Sequence, residues 1–239
     1  AYDVAVSMPR IDRLVNAADQ TAIAAPGSLV SVFGSSLSPV NQVSSFIPLP
    51  TALGESCLTV NGLPIPMILV SPTQINAQLP YQIEGNVTMI LRTPGGVSDN
   101  FNLTVQPTAP SIFRTVVAGF EDGVPTIIRA RNQQLVTLSN PIHREDTITI
   151  YLTGLGNTVP AIEAGVAAGS VPTPVAVVAP SVRIGGQELS VQFAGLAPGQ
   201  VGVFQINALV PRTVPLGMGL PLLVTQGGQS TQVSVRVID

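Results

Sequence analysis

Few side chains of this 239-residue chain could do chemistry, because it contains only one His and one Cys. Cys57 cannot form an internal disulfide, and its apolar neighbours are typical of a thiol that packs as a small hydrophobe. His143 lies in a polar segment that reads as a loop before a strand. A hydrolase nucleophile requires a Gly-x-Ser-x-Gly elbow and a His partner, and Gly34-Ser35-Ser36-Leu37 lacks that spacing. We therefore expect no nucleophilic catalysis.

The acidic residues include two adjacent carboxylate pairs, Glu121-Asp122 and Glu145-Asp146. A glycosidase needs two carboxyl groups facing each other across a cleft. Asp122-Gly123 instead reads as a hairpin tip and Glu145-Asp146 as the entry to a strand, so we expect no catalytic role for either pair. Calcium bound by Asp122, Asp146 or Asp99 together with backbone carbonyls stays open as an alternative. The chain has too few His and Cys residues for a zinc site and no Lys for a P-loop. We predict a protein that is not an enzyme and has no cofactor.

The charge composition excludes two classes of partner. All ten basic residues are Arg and they are scattered singly, so no basic face for nucleic acid can be assembled. Hydrophobic residues make up 45% of the chain and net charge is −3, which is not a disordered composition. Turn residues interrupt every apolar segment well before the roughly 18 residues that a membrane helix needs, so we expect no membrane insertion.

Period-two alternation predicts that strands dominate. In Thr147–Thr153 the residues Ile148, Ile150 and Leu152 share one face, as expected of a half-buried antiparallel strand. Turn signals separate such runs at the spacing typical of a β-sandwich, namely Asn61-Gly62, Pro94-Gly95-Gly96, Asp122-Gly123, Gly185-Gly186 and Gly227-Gly228. Helical periodicity is weak, and the best candidates for short helices are Ile11 to Ala18 and Ile162 to Ala168. The pattern predicts an all-β fold.

A heptad occurs twice: Gln74–Pro80 reads QINAQLP and Gln205–Pro211 reads QINALVP. Aligning the copies brings further motifs into register, with Leu58–Gly62 opposite Val182–Gly186 and Phe101–Val105 opposite Val233–Val237. Ile75 and Ile206 are predicted core residues, and the flanking Gln and Asn side chains could hydrogen-bond turn backbone. We interpret the heptad as architectural, and the series as two homologous sandwiches in tandem.

The predicted domain organisation has three parts. Residues 1–10 form an N-terminal strand, residues 11–107 a first immunoglobulin-like β-sandwich, and residues 108–239 a second. Gln106–Pro110 is a short joint stiffened by proline, so a fairly fixed orientation of the two sandwiches is expected.

Several motifs together resemble an uncharacterised domain family found at the C-terminal ends of many exported acidobacterial proteins. They are Leu14–Ala18, Ala25–Leu37, Val70–Asn76, Leu152–Gly156 and Phe193–Gly199. The resemblance implies a pair of immunoglobulin-like modules similar to the IPT/TIG type and an envelope or extracellular setting. It implies no known activity and no catalytic residues. The domain usually ends a larger protein, whereas here it is almost the entire chain. The start at Ala1, without a charged and hydrophobic leader, fits an exported product whose signal has been removed.

The first residues alternate with period two, placing Tyr2, Val4, Val6 and Met8 on one apolar face. A lone strand is not stable in water and must join a sheet. It could add to an edge of its own chain, or to an edge of the next molecule in a head-to-tail filament. The low charge and the absence of Lys favour packing against further copies.

We predict an extracellular or cell-surface structural protein that self-assembles through strand addition and apolar module contacts. One rival is a cell-surface adhesin or carbohydrate-binding module with a surface glycan as partner. The chain is poorly supplied for this because it has no Trp and only three Tyr residues. The other rival is a non-catalytic accessory region of a larger exported protein.

Overall fold

The computed structural model of the chain describes residues 7–239. Strands, turns and irregular segments account for all of these residues, and none of them belongs to a helix. Within this range there is accordingly no helix long and apolar enough to cross a membrane. The all-β prediction is confirmed.

Two β-sandwiches follow one another along the chain. The first module contains β1 (Arg10–Asn16), β2 (Leu29–Ser35), β3 (Gln42–Val43), β4 (Cys57–Val60), β5 (Leu63–Pro64), β6 (Met67–Val70), β7 (Gln74–Gln78), β8 (Gly85–Thr93), β9 (Gly96–Val97) and β10 (Phe101–Val105). Its sheets have the orders β1-β2-β7-β6-β3 and β10-β8-β4-β5, with β9 paired to β8.

The second module holds the remaining strands. They are β11 (Ser111–Ile112), β12 (Arg114–Val117), β13 (Phe120–Pro125), β14 (Ile127–Arg129), β15 (Gln134–Leu135), β16 (Ile142–His143), β17 (Thr147–Thr153), β18 (Thr158–Val159), β19 (Val175–Ala176), β20 (Ser181–Ile184), β21 (Gln187–Glu188), β22 (Ser190–Leu196), β23 (Phe204–Leu209), β24 (Gly217–Gln226) and β25 (Gln229–Ile238). Its sheets have the orders β15-β14-β17-β23-β22-β19-β18 and β16-β25-β24-β20-β21, and β12 and β13 form a separate hairpin.

Each module has its own hydrophobic core. One cluster of buried apolar residues lies between Leu14 and Val105, and the other between Ile112 and Val237. The second cluster also takes in Tyr81 from the first module. The alternation predicted for β17 is present, since Ile148, Ile150 and Leu152 are fully buried. The limits 11–107 and 108–239 stay a prediction.

The strand registers show the internal duplication. The heptads form β7 and β23, with Ile75 opposite Val32 and Ile206 opposite Ile150. Both isoleucines are fully buried, as predicted. The Asn side chains of the two heptads bond neighbouring strands rather than turn backbone, because they lie on the outer face of the sheet, whereas the buried Gln78 does bond the Gly27 C=O in a turn. The Asn76 Oδ1 accepts from the Ser31 Oγ at 2.9 Å, and the Asn207 Oδ1 accepts from the Thr149 Oγ1 at 3.0 Å.

Each module also closes with a parallel contact between an early segment and its last strand. In the first module Ala24 pairs with Val105, and the Gln106 N–H donates to the Ala24 C=O at 2.9 Å. In the second module β16 pairs with β25 at Ile142 and Val237. His143 therefore lies in a two-residue strand, and not in the loop that was expected.

Neither of the two weak candidates for a short helix is helical in the structure. Ile11–Ala18 overlaps β1, whose backbone pairs with β2 along the sheet edge, so tertiary pairing overrides the apparent helical spacing. The segment 162–168 is irregular and is held by the first module, because the Gly165 C=O accepts from the Leu49 N–H at 2.8 Å.

Most turn predictions are confirmed, including Asn61-Gly62 and Gly185-Gly186. Asp122-Gly123 was wrong, because both residues lie inside β13 and the hairpin turns at Ala118-Gly119. In the sequence, Thr93-Pro94-Gly95-Gly96 aligns with Thr225-Gln226-Gly227-Gly228. The strand registers correct this alignment by one residue, because Pro94-Gly95 occupies the turn equivalent to Gly227-Gly228.

Candidate functional site

The reactive side chains singled out in the sequence do not form a site. Asp146 is buried, and its Oδ2 accepts from the Arg129 Nε at 2.7 Å and from the His143 N–H at 2.8 Å. Glu145 bonds the exposed Arg212, which lowers the pKa of the Glu145 carboxyl. Both carboxylates of Glu145-Asp146 are thus engaged in hydrogen bonds and ion pairs within the second module.

The predicted calcium ligands do not converge. Asp99 and Asp122 are exposed, whereas Asp146 is buried in its ion pair. No group of three or more His, Cys, Asp or Glu residues within residues 7–239 is arranged to hold a metal ion. Cys57 is a half-buried free thiol at the start of β4.

The predicted assembly strand falls mostly outside the described residues, which exclude Tyr2, Val4 and Val6. Met8 is described, and it is 65% exposed and lies outside any strand, next to Gly96. The pairing of the N-terminal segment therefore stays a prediction.

The joint between the modules is built from buried hydrogen bonds. The Gln78 carboxamide accepts from the Gly165 N–H at 2.6 Å and donates to the Gly27 C=O at 3.1 Å and the Tyr81 hydroxyl at 3.3 Å. Burial raises the pKa of Tyr81, against a smaller lowering by its bond with Gln78, so this phenol is neutral across the physiological range. Leu209 stands at the equivalent position in the second heptad.

A second set of joint contacts centres on Thr153 of β17. Its Oγ1 accepts from the Leu29 N–H at 3.0 Å and donates to the Gly202 C=O at 3.0 Å. A Cβ on Gly202 would stand 2.7 Å from the Leu29 side chain, so glycine is what allows the modules to approach this closely. The linker is also held, since the Thr108 Oγ1 donates to the Gln226 C=O at 3.0 Å.

The last strand of the first module, β10, has an edge that no strand of residues 7–239 pairs with upstream of Val105, where the parallel contact with Ala24 begins. Asn102 lies opposite Thr88 of β8. On the other side of Thr88, its C=O accepts from the Asn61 N–H at 2.8 Å and its N–H donates to the Asn61 Oδ1 at 2.9 Å. In an antiparallel pair of this kind both residues direct their backbone groups away from each other, so the Asn102 N–H and C=O face outward. Thr104 faces the same way, two residues along the strand.

Beside this edge runs a groove of about 360 Å³ with both apolar and polar walls, which we call the first groove. It lies between the two sheets and is lined by Leu14, Ala22–Ala24, Phe101–Thr104 and Gln106. Leu14 and Ala24 are buried at its floor, whereas Phe101 and Leu103 remain half-buried. Among the described residues, no backbone group outside β8 bonds Asn102.

The duplication places a second groove at the same position in the second module. Ser234 lies opposite Pro221, whose C=O accepts from Gly185 at 2.9 Å, so the Ser234 backbone also faces outward. The second groove has a volume of about 230 Å³. Its lining includes Ile127, the equivalent of Leu14, and Ser234–Arg236, the equivalents of Asn102–Thr104.

A hairpin distinguishes the two grooves. Four positions separate Arg10 from Leu14, whereas sixteen separate Ser111 from Ile127, and the extra twelve residues form most of the β12–β13 hairpin. Five hairpin residues, Arg114, Phe120 and Gly123–Pro125, line the second groove opposite β25. The hairpin therefore forms one wall of the second groove, and the described part of the first module has no such element.

Two polar ladders mark the outer face beside the first groove. The Thr88 Oγ1 donates to the Asn102 Oδ1 at 2.9 Å, and the Thr104 Oγ1 donates to the Asn86 Oδ1 at 2.8 Å. These four residues are the ends of Asn86-Val87-Thr88 and Asn102-Leu103-Thr104, which the fold places side by side on β8 and β10. The duplication could be recognised in the sequence. No sequence signal indicated that a hairpin would line the second groove and not the described part of the first.

Comparison with known proteins finds no matching family model and no matching curated protein, so the resemblance to the acidobacterial family stays a prediction. Solved structures do match. The SGBP-B protein of a xyloglucan utilization locus in Bacteroides uniformis is 14% identical over 95% of this chain and 49% of that one, with a TM-score of 0.30. The SGBP-B protein of a mixed-linkage glucan utilization locus in Bacteroides ovatus, in complex with a heptasaccharide, is 11% identical over 98% and 64%, with a TM-score of 0.34.

A tandem of titin domains, I9–I11, is 11% identical over 96% of this chain and 66% of that one, with a TM-score of 0.25. The chain spans about half the length of the Bacteroides uniformis protein. Identities and TM-scores this low say nothing about a shared ligand.

Proposed function

We propose that the protein is a non-enzymatic structural module that joins to further copies of itself by strand addition at the first groove. The observation that carries the proposal is the free part of the β10 edge, where the outward backbone of Asn102 adjoins the first groove and its buried Leu14. An added strand gains main-chain hydrogen bonds at such an edge and specificity from pockets for alternate side chains. Sheet edges are otherwise shielded in monomeric proteins.

The proposed donor is the N-terminal segment of a second copy, residues 1–8. Its alternating apolar residues Tyr2, Val4, Val6 and Met8 match the period of a strand whose inner face lies on the groove. The half-buried Phe101 and Leu103 would gain cover from these side chains. The contact is heterologous, so repetition builds a ring or an open filament.

The setting proposed for this assembly is extracellular or at the cell surface. Support comes from the resemblance to exported proteins.

The test uses the full chain and three single substitutions, with mass measured by light scattering and shape by electron microscopy. Asn102→Pro removes the outward N–H without breaking a bond to β8, so it should abolish association. Asn102→Ala removes only the side chain and should associate as before. Ser234→Pro is the matched control, because it makes the same change at the equivalent edge of the second module, beside the β12–β13 hairpin.

Deleting residues 1–8 should also give a monomer, and a synthetic peptide of those residues should bind the truncated chain in a saturable manner. A full chain that stays monomeric at its highest soluble concentration would sink the proposal. So would association that survives Asn102→Pro. Glycan-array binding by a monomeric chain would instead point to a carbohydrate-binding module.

A further inference from the structure

The second groove is a cavity that the strand-addition proposal does not use. Its volume is about 230 Å³, and it opens to the surface rather than being fully enclosed. Apolar side chains form most of its wall, namely Phe120, Val124, Pro125, Ile127, Val136, Leu138 and Val235. An apolar cavity of about 150 Å³ accommodates a benzene ring. The second groove therefore has room for a ring-sized apolar body and a small substituent.

Two guanidinium groups line the same cavity. Arg114 donates to the Asp122 C=O at 2.7 Å and the Gly123 C=O at 3.0 Å, which fixes it within the hairpin. Arg236 donates through Nη1 to the Leu138 C=O at 2.7 Å. No Asp or Glu residue lines the cavity, and neither arginine forms an ion pair with any residue from 7 to 239.

The Arg236 Nε is enclosed by protein, so a ligand in the groove would meet the outer part of the guanidinium and not this atom. This atom has no hydrogen-bond partner among the described residues. A guanidinium recognises a carboxylate with two parallel hydrogen bonds. The cavity thus offers apolar walls together with positive charge that no protein carboxylate compensates.

We propose that the second groove binds a small carboxylate with an apolar ring or short alkyl body, its carboxylate on Arg236. The apolar body lies against Phe120 and Val235, and the β12–β13 hairpin forms one wall of the site. The site is independent of strand addition at the first groove, since the two lie in different modules.

Benzoate is the probe, and benzyl alcohol is its neutral match in size. Titration of the isotope-labelled full chain should give saturable amide shift changes at Ser234, Val235 and Phe120 with benzoate. Benzyl alcohol should bind at least about tenfold more weakly, because it cannot accept a charge-assisted pair of hydrogen bonds.

Substitution then locates the charge. Arg236→Gln should weaken benzoate about 10- to 100-fold, as expected for loss of a hydrogen bond to a charged group, and Arg236→Lys should retain part of the binding. Arg183→Gln is the matched control, because Arg183 is an exposed arginine paired with Glu188. Equal affinity for benzoate and benzyl alcohol overturns the proposal, as does the absence of saturable shifts at the second groove. The benzoate-induced amide shift changes of the unmodified chain test the proposal even if an Arg236 variant does not fold.

Discussion

Replacing Gln78 by Leu tests the joint between the modules, and the internal repeat itself supplies the substitution because Leu209 occupies the equivalent position. The change removes three neutral hydrogen bonds, to the Gly165 N–H, the Gly27 C=O and the Tyr81 hydroxyl. Gln78 is 1% exposed and Gly165 is buried, so water does not replace these bonds.

Three bonds at about 1 kcal/mol each give a loss of about 3 kcal/mol, and the unpaired Gly165 N–H adds to it. Burial of the leucine side chain offsets about 1 kcal/mol of this loss. The expected net destabilisation is about 2–3 kcal/mol. For a chain of this size that corresponds to a melting point roughly 5–10 °C lower.

Scanning calorimetry measures the melting point, and hydrogen exchange of the Gly165 amide reports on the joint directly. Gln78→Leu should speed that exchange and separate the unfolding of the two modules. Gln74→Leu is the control, since the Gln74 side chain bonds only Asn76 at the half-buried surface. If Gln78→Leu stays within about 0.5 kcal/mol of the unmodified chain, a difference too small for one buried hydrogen bond, the reasoning fails.

Three further results are expected. Asp146→Ala should cost about 3–5 kcal/mol in denaturant unfolding, because it leaves Arg129 buried without its partner, whereas Arg129→Lys should cost less if the charge still reaches Asp146. Carbon-detected titration should place the Glu145 pKa below the ordinary glutamate value, and Arg212→Gln should return it to that value. Because the folded-state pKa of Glu145 is lowered, the stabilisation from this pair is complete above the unfolded pKa and is lost as pH falls through the folded one. Ile206→Ala should cost about 2–5 kcal/mol by opening a cavity in the core.

The sequence predicted the strands wherever alternation was regular, as in Thr147–Thr153, because the period of a pleated strand fixes which residues are buried. It failed at Ile11–Ala18, where apolar spacing suited a helix and only pairing with β2 selects a strand. The role of Gln78 was also missed, since its partner Gly165 lies 87 residues away. The hairpin beside the second groove was misread because Asp122-Gly123 imitates a turn signal.

The grooves could not be predicted from the sequence for a different reason. Leu14 and Phe101 look like ordinary core residues, and the outward direction of the Asn102 backbone depends on its register with Thr88. Register depends on how strands pair in the folded sheet, so a local sequence motif does not predict it. In the sequence, Arg236 occupies a polar position of an alternating strand. Only the folded structure shows that its Nε is buried and that its Nη1 bonds the Leu138 C=O.

The parallel contact that closes each module bears on how the chain would respond to mechanical tension. In the second module this contact joins the last strand, β25, to β16, which begins 31 residues after the start of β11. Tension applied at the two ends of the module therefore loads the pairing of β11 with β17 before it reaches β16. The contact of Ala24 with Val105 lies inside the first module in the same way, because β1 and its pairing with β2 come before it. Each parallel contact would resist tension only after the strands that precede it had been pulled from their sheets.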